Sequence, residues 1–255
     1  MSALHLRQWP GADDRPALAL HCMMGNAGYW GPIAAALSDR LRLSAPDLPG
    51  HGQSPGWPGT PDYHSYATRM VAPLIDRPLD LIGHSLGATV ALRIAVAAPE
   101  AVRSLTLIEP VLFAAAPDPA NDALMDDLAA LLHAGQAEAA TRRFLSVWGG
   151  LDWDAQTPTG RERLMRQMRL DVDSNSTLTR DGANILRSVG LEGIDAPVLL
   201  VMGEDSPPVI ADIADALAAR LPDVGRARVP GAGHMLPITH PAQVAGLIGL
   251  NLDRA

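Results

Sequence analysis

Only one cysteine, Cys22, occurs in the 255-residue chain. No internal disulfide can form, which excludes a small secreted fold stapled by disulfide bridges. Aromatic residues are scarce at 4%, so the core must be assembled from Ala, Leu, Val and Ile, with the five Trp as isolated large fillers. Basic charge is short as well: Lys and Arg total 20 against 28 Asp and Glu, for a net charge of −8. Binding phosphate needs a basic surface, so neither a nucleic acid nor an anionic membrane is expected as a partner; a small molecule is. Long apolar runs are missing. The N-terminal stretch Met1 to Arg7 has no uninterrupted hydrophobic segment, and the Ala- and Val-rich stretch after Leu86 carries Arg93 and is too short to span a bilayer. The expected location is cytoplasmic. No two histidines stand four residues apart on a helix beside a third ligand, so no metal site and no cofactor are expected.

What the chain does have is a hydrophobic content of 47%, enough for one sizeable core, and the stretch Gly83-His84-Ser85-Leu86-Gly87 directly behind the apolar run Pro78-Leu79-Asp80-Leu81-Ile82. A serine projected from a sharp strand-to-helix turn needs neighbours without side chains, since a Cβ at either site would strike the flanking strand or helix. Leu86, Val90, Ile94 and Ala97 recur at helical spacing up to Pro99. Ser85 is thus expected at a helix N-terminus, where free N–H groups favour developing negative charge. Three further signals agree in order: a buried strand opening into a loop at Leu18 to Gly25, a tight turn at Asp47 to Ser54, and the glycine-flanked His234 in Pro230-Gly231-Ala232-Gly233-His234.

On these residues the chain resembles the α/β-hydrolase superfamily over nearly all of its length. The matching pieces are a histidine-led oxyanion loop at 21–25, the D-x-x-G-H-G-x-S turn at 47–54, the nucleophile elbow at 83–87 and the late His234. Cys22 stands where the family usually has glycine. The resemblance implies an α/β-hydrolase fold, a mostly parallel central sheet flanked by helices. The expected strands are 4–9, 17–21, 41–45, 79–83, 104–108, 197–202 and 226–229, and the expected helices 29–39, 63–75, 86–97, 207–220 and 241–250. That makes about seven strands, where the superfamily usually has eight. About ninety residues without strand character separate the fifth and sixth strands, too many for an ordinary loop. Amphipathic stretches at 124–132 and 161–168 mark this segment as helical. The expected organisation is a core of residues 1–110 and 191–255 with a helical cap inserted at 111–190.

Ser85 needs a base, and His234 alone among the histidines has a loop position that fits the task. His21 is expected to brace the oxyanion loop, and His51 and His84 to belong to structural turns. The third role is an acid that fixes the histidine tautomer. Family members commonly carry it three residues after a glycine at the end of the penultimate strand; here that position is Ser206, with Asp205 one residue early. The rival is Glu109, closing the strand at 104–108. Some haloalkane dehalogenases take their acid there. A glutamate ending a buried apolar strand is costly unless paired, which favours Glu109; Asp205 stays the alternative, as a carboxylate that could equally cap the following helix, and Glu204 is a more distant third. The backbone N–H groups of Met23 and Leu86 are the expected oxyanion donors. Met24, Phe113 and Trp148, with Leu112, Met165 and Met168, are candidate substrate contacts, and for each of them core packing is the simpler role. Cys22 reads as a small buried filler.

The resulting expectation is a serine hydrolase cleaving a small or medium carboxylic ester, lactone or thioester through an acyl-enzyme. Carbon–carbon bond hydrolysis, a lyase on the same scaffold, or a small-ligand receptor without turnover are the alternatives. Monomer and homodimer are both open.

Overall fold

A computed structural model describes residues 3–149 and 151–255; Met1, Ser2 and Gly150 lie outside the described residues. Seven strands, β1 (Leu6–Gln8), β2 (Pro16–Leu20), β3 (Arg42–Pro46), β4 (Leu79–His84), β5 (Val102–Ile108), β6 (Val198–Gly203) and β7 (Val224–Val229), form one sheet in the order β1-β3-β2-β4-β5-β6-β7. β1 runs antiparallel to β3, and every other pairing is parallel. Parallel neighbours cannot be joined by a hairpin and need a crossover, usually helical. The helices are α1 (Gly31–Ala36), α2 (Tyr63–Val71), α3 (Leu86–Ala97), α4 (Pro119–His133), α5 (Ala137–Trp148), α6 (Pro158–Ser174), α7 (Ser176–Thr179), α8 (Val209–Ala218), α9 (Leu236–Thr239) and α10 (Pro241–Leu252).

Two differences from the sequence expectation have local causes. The helix expected at 63–75 stops at Val71, because Pro73 has no N–H to continue the ladder, and the chain tightens into a 3-10 turn over Ala72–Leu74. The helix expected at 29–39 is α1 preceded by a 3-10 turn at Ala27–Trp30, whose first turn is capped by the Asn26 side chain on the Gly28 N–H. The segment between β5 and β6 holds α4 to α7.

The strand residues alternate between two cores, as a sheet covered on both faces requires. Leu81, Leu105, Leu107, Leu200 and Met202 face a core shared with α2, α3, α8 and the helices between β5 and β6. Ile82, Ile108, Leu199 and Val201 face a second core closed by α1 and α10. Asp80 interrupts the apolar run of β4 and is fully buried, yet its carboxylate accepts hydrogen bonds from Arg15 Nε at 2.8 Å and Ser104 Oγ at 2.7 Å, which offsets its desolvation.

Chain order fixes where a site can form. From β2 the sheet grows outward through β3 on one side and through β4, β5, β6 and β7 on the other. The loops after β2 and β4 therefore diverge, opening a crevice at the carboxyl ends of the strands, the usual place for ligands in such sheets.

Candidate active site

The turn after β4 has a conformation few residues adopt. Ser85 has φ 55° and ψ −118°, outside the regions open to most L-residues. The residues two before and two after it must be glycine for steric reasons. A Cβ on Gly83 would lie 2.4 Å from Gly87 O and 2.5 Å from Ala88 Cα, and one on Gly87 would lie 2.2 Å from Leu20 O. Without those methyls α3 packs tightly against the ends of β4 and β2, and the serine is left at the head of the helix.

The loop carrying His234 follows β7 and brings the imidazole over this turn. His234 Nε2 lies 2.9 Å from Ser85 Oγ, and His234 Nδ1 lies 2.9 Å from Glu109 Oε2. Glu109, directly after β5, is fully buried and has φ 52°. Its other oxygen, Oε1, accepts hydrogen bonds from the Gly203 N–H at 2.6 Å and from Ser206 Oγ at 2.8 Å. The carboxylate is thus fully engaged, and with Nδ1–H donating to it, Nε2 of His234 is free to accept from the serine.

Asp205 and Glu204 are exposed. The Asp205 N–H donates to Ala232 O at 2.9 Å, and Glu204 Oε2 accepts from the Gly231 N–H at 3.2 Å. Neither carboxylate is the partner of His234 Nδ1. Ser206, three residues after Gly203, instead donates to Glu109 across the boundary between β5 and β6.

Leu86 opens α3, so its N–H has no intrahelical acceptor. Among the described residues the Met23 N–H also meets no protein acceptor. Both residues line one cavity with Ser85 and His234. The loop presenting Met23 is held by histidines. His21 Nδ1–H donates to Cys22 O at 2.7 Å while Nε2 accepts from the Leu48 N–H at 2.8 Å. His51 Nε2 accepts from the Met24 N–H at 3.2 Å. Burial pushes His21 down to about 4 and His51 to about 3, which keeps both rings neutral and able to accept.

A second chain of bonds is not legible in the sequence. The Cys22 N–H donates to Tyr29 Oη at 3.2 Å, Tyr29 Oη–H donates to His84 Nδ1 at 3.0 Å, and His84 Nε2–H donates to His234 O at 2.8 Å. It ties the loop after β2 to the backbone of His234. Its only sequence signal is a histidine inside the elbow.

The cavity has a volume of about 210 Å³. Met24, Phe113 and Trp148 all line it, and the Trp148 ring stands edge-on to His234 at 4.8 Å between centroids. Leu112 and Met168 are fully buried in the core, with Met165 packed against it. Cys22 also borders the cavity, but burial raises its thiol to about 12, so it carries no thiolate at neutral pH. No helix among the described residues is long and apolar enough to cross a membrane.

The profile of the alpha/beta hydrolase family matches residues 17–247. The chain belongs to this family. The hydrolase is 33% identical to a pimeloyl-[acyl-carrier protein] methyl ester esterase of Methylococcus capsulatus, over 88% of this chain and 89% of the relative. It is 30% identical to the lipase LipV of Mycobacterium tuberculosis, over 96% of each. Among solved structures it resembles a hydrolase from Pseudomonas aeruginosa, with TM-score 0.74 and 24% identity over 97% of this chain and 93% of the other. The carboxylesterase CesB of Bacillus subtilis has the same fold, with TM-score 0.74 and 21% identity over 97% and 87%.

Proposed function

We propose that the protein hydrolyses carboxylic esters of small or medium size through an acyl-enzyme on Ser85. The observation that carries this reading is the unbroken line from Ser85 Oγ through His234 to Glu109, set beside the Met23 and Leu86 N–H groups, which meet no acceptor among the described residues. His234 Nε2 takes the serine proton as Oγ attacks the ester carbonyl. The oxyanion that forms is stabilised by the N–H groups of Met23 and Leu86, reinforced by the head of α3. Glu109 holds the imidazole in the accepting tautomer and stabilises its protonated form. His234 then protonates the leaving alcohol, activates a water for attack on the acyl carbon, and returns the proton to Ser85.

The helices α4 to α7, within residues 111–190, act as a cap that shields this chemistry from water. Trp148 and Phe113 from this segment give the acyl group an apolar lining. A cavity of about 210 Å³ is smaller than the ~300–1,000 Å³ typical of sites for drug-sized ligands, which favours short and medium acyl groups. The two relatives, named as a methyl ester esterase and a lipase, support the ester class.

The test is a series of p-nitrophenyl esters of increasing acyl length. Wild type should turn over acetate through hexanoate and decline for longer chains, and Ser85→Ala should lose the activity. Equal rates for wild type and Ser85→Ala would overturn the proposal.

A further inference from the structure

Most of the cavity wall is apolar, and beyond the residues around Ser85 its polar groups come from the helical segment between β5 and β6. Asn121 stands in the first turn of α4, Asp171 in the last turn of α6, and Asn175 just beyond it; all three line the same cavity as Ser85. Asn121 is 5% exposed and Asp171 7%. Among the described residues each keeps a polar atom with no hydrogen-bond partner, Asn121 Nδ2 and Asp171 Oδ2.

Such groups are expensive. A buried donor or acceptor without a partner forfeits its hydration and gains nothing for it, and a buried carboxyl without a cation is worse. Burial alone raises Asp171 to about 7, with no neighbouring charge to counter it. The cation bordering the cavity, Arg163, is exposed and lies eight residues earlier on α6, about 12 Å along the axis at 1.5 Å per residue. Packing does not require a carboxyl at 171, because the apolar contact of α6 with the core is made by Leu164 and Met168, both fully buried. Two side chains lining one cavity, one with an unpaired donor and the other with an unpaired carboxyl oxygen, suit a group that accepts from the first and donates to the second.

We infer that Asn121 and Asp171 form a polar subsite recognising a hydroxyl group carried by the substrate at a distance from its scissile ester bond. The hydroxyl oxygen accepts from Asn121 Nδ2–H, and its O–H donates to Asp171 Oδ2. An apolar chain of equal length leaves both groups unsatisfied, so the site discriminates by hydrogen bonding rather than by size. The inference deepens the esterase reading and rests on it only for the identity of the bond cleaved.

Binding can therefore be tested without turnover. In the Ser85→Ala protein, titration calorimetry compares methyl 6-hydroxyhexanoate with methyl heptanoate, which replaces the hydroxyl by a methyl. The hydroxy ester should bind at least roughly tenfold more tightly, the effect of one or two buried hydrogen bonds. Adding Asp171→Leu, or separately Asn121→Leu, should bring the ratio to about one or below. Asp171→Leu should also leave Tm equal or raise it, since it removes a buried group that has no partner.

A purely structural role makes the opposite forecast. Gln167, one turn before Asp171, holds an unpartnered buried Oε1; if Asp171 served that neighbour, Asp171→Leu would lower Tm and leave the ratio unchanged. That outcome overturns the subsite. Equal affinities in the Ser85→Ala parent, or no measurable binding of either ester, overturn it too. Discriminating binding with no hydrolysis by the wild type would instead overturn only the esterase reading.

Discussion

Replacing Glu109 by Gln changes one atom and should nearly abolish turnover. Three donors converge on the carboxylate: His234 Nδ1–H on one oxygen, the Gly203 N–H and the Ser206 hydroxyl on the other. An amide has a single oxygen. The Gly203 N–H is a fixed backbone donor 2.6 Å away, so the glutamine oxygen must face it, which turns the NH2 toward His234. The imidazole can meet that NH2 only by making Nδ1 the acceptor, and its proton then sits on Nε2, pointing at Ser85 Oγ 2.9 Å away. A base in the wrong tautomer cannot take the serine proton. The equivalent change in the serine-protease template costs about 10⁴ in kcat, or about 5 kcal/mol at roughly 1.4 kcal/mol per decade. Asp205 offers the control. Its side chain is exposed and is not the partner of His234 Nδ1, and Asp205→Asn should change kcat by less than about threefold, under roughly 0.7 kcal/mol at about 1.4 kcal/mol per decade. Both variants are assayed on p-nitrophenyl butyrate, with near-UV circular dichroism confirming the fold. A Glu109→Gln enzyme within tenfold of wild type, or an Asp205→Asn enzyme more impaired than it, refutes the reasoning.

Three other outcomes are expected. Gly87→Ala puts a methyl 2.2 Å from Leu20 O, overpacking that typically costs about 1–3 kcal/mol, so Tm should fall by several degrees in differential scanning calorimetry; an unchanged Tm would show that α3 can move away freely. Tyr29→Phe removes the acceptor of the Cys22 N–H and the donor to His84; at about 0.5–1.5 kcal/mol per bond, kcat should drop about tenfold with KM little changed, and a pure KM effect would contradict a role in holding the loop and His234. Stability should decline below neutral pH, because burial holds His21 at about 4 and His51 and His64 at about 3, below the ~6.5 of an unfolded imidazole. The unfolded chain then binds more protons between about pH 6.5 and 4, and each ring withdraws up to about 1.4 kcal/mol per pH unit. Asp171, raised to about 7, acts in the opposite sense, since its penalty is relieved on protonation. Three rings outweigh one carboxyl, so the urea midpoint should be lower at pH 5 than at pH 7; a higher midpoint at pH 5 would show that the rings are not buried neutral.

The parts of this molecule that were legible in the sequence are those governed by short-range stereochemistry. Gly83 and Gly87 mark a turn that any Cβ would block, and the apolar runs of β4, β5 and β6 declare strands buried on both faces. The choice of acid was harder, since it depends on which strand ends are neighbours. Glu109 and Ser206 are far apart in sequence and meet because β5 pairs with β6, Ile108 opposite Val201. Only the cost of ending a buried strand with an unpaired glutamate hinted at it. Other features leave no sequence signal at all. Tyr29 and His84 meet only in the folded chain, and the amphipathic pattern of α4 and α6 does not reveal that Asn121 and Asp171 line the cavity.

Activation of Ser85 as a nucleophile by His234 is read out by covalent trapping. Treated with a fluorophosphonate, the wild-type protein should gain the mass of one phosphonyl group, located on the peptide containing Ser85, and His234→Ala should react far more slowly. An unmodified protein, or a label on Cys22 or any other side chain, would contradict the account.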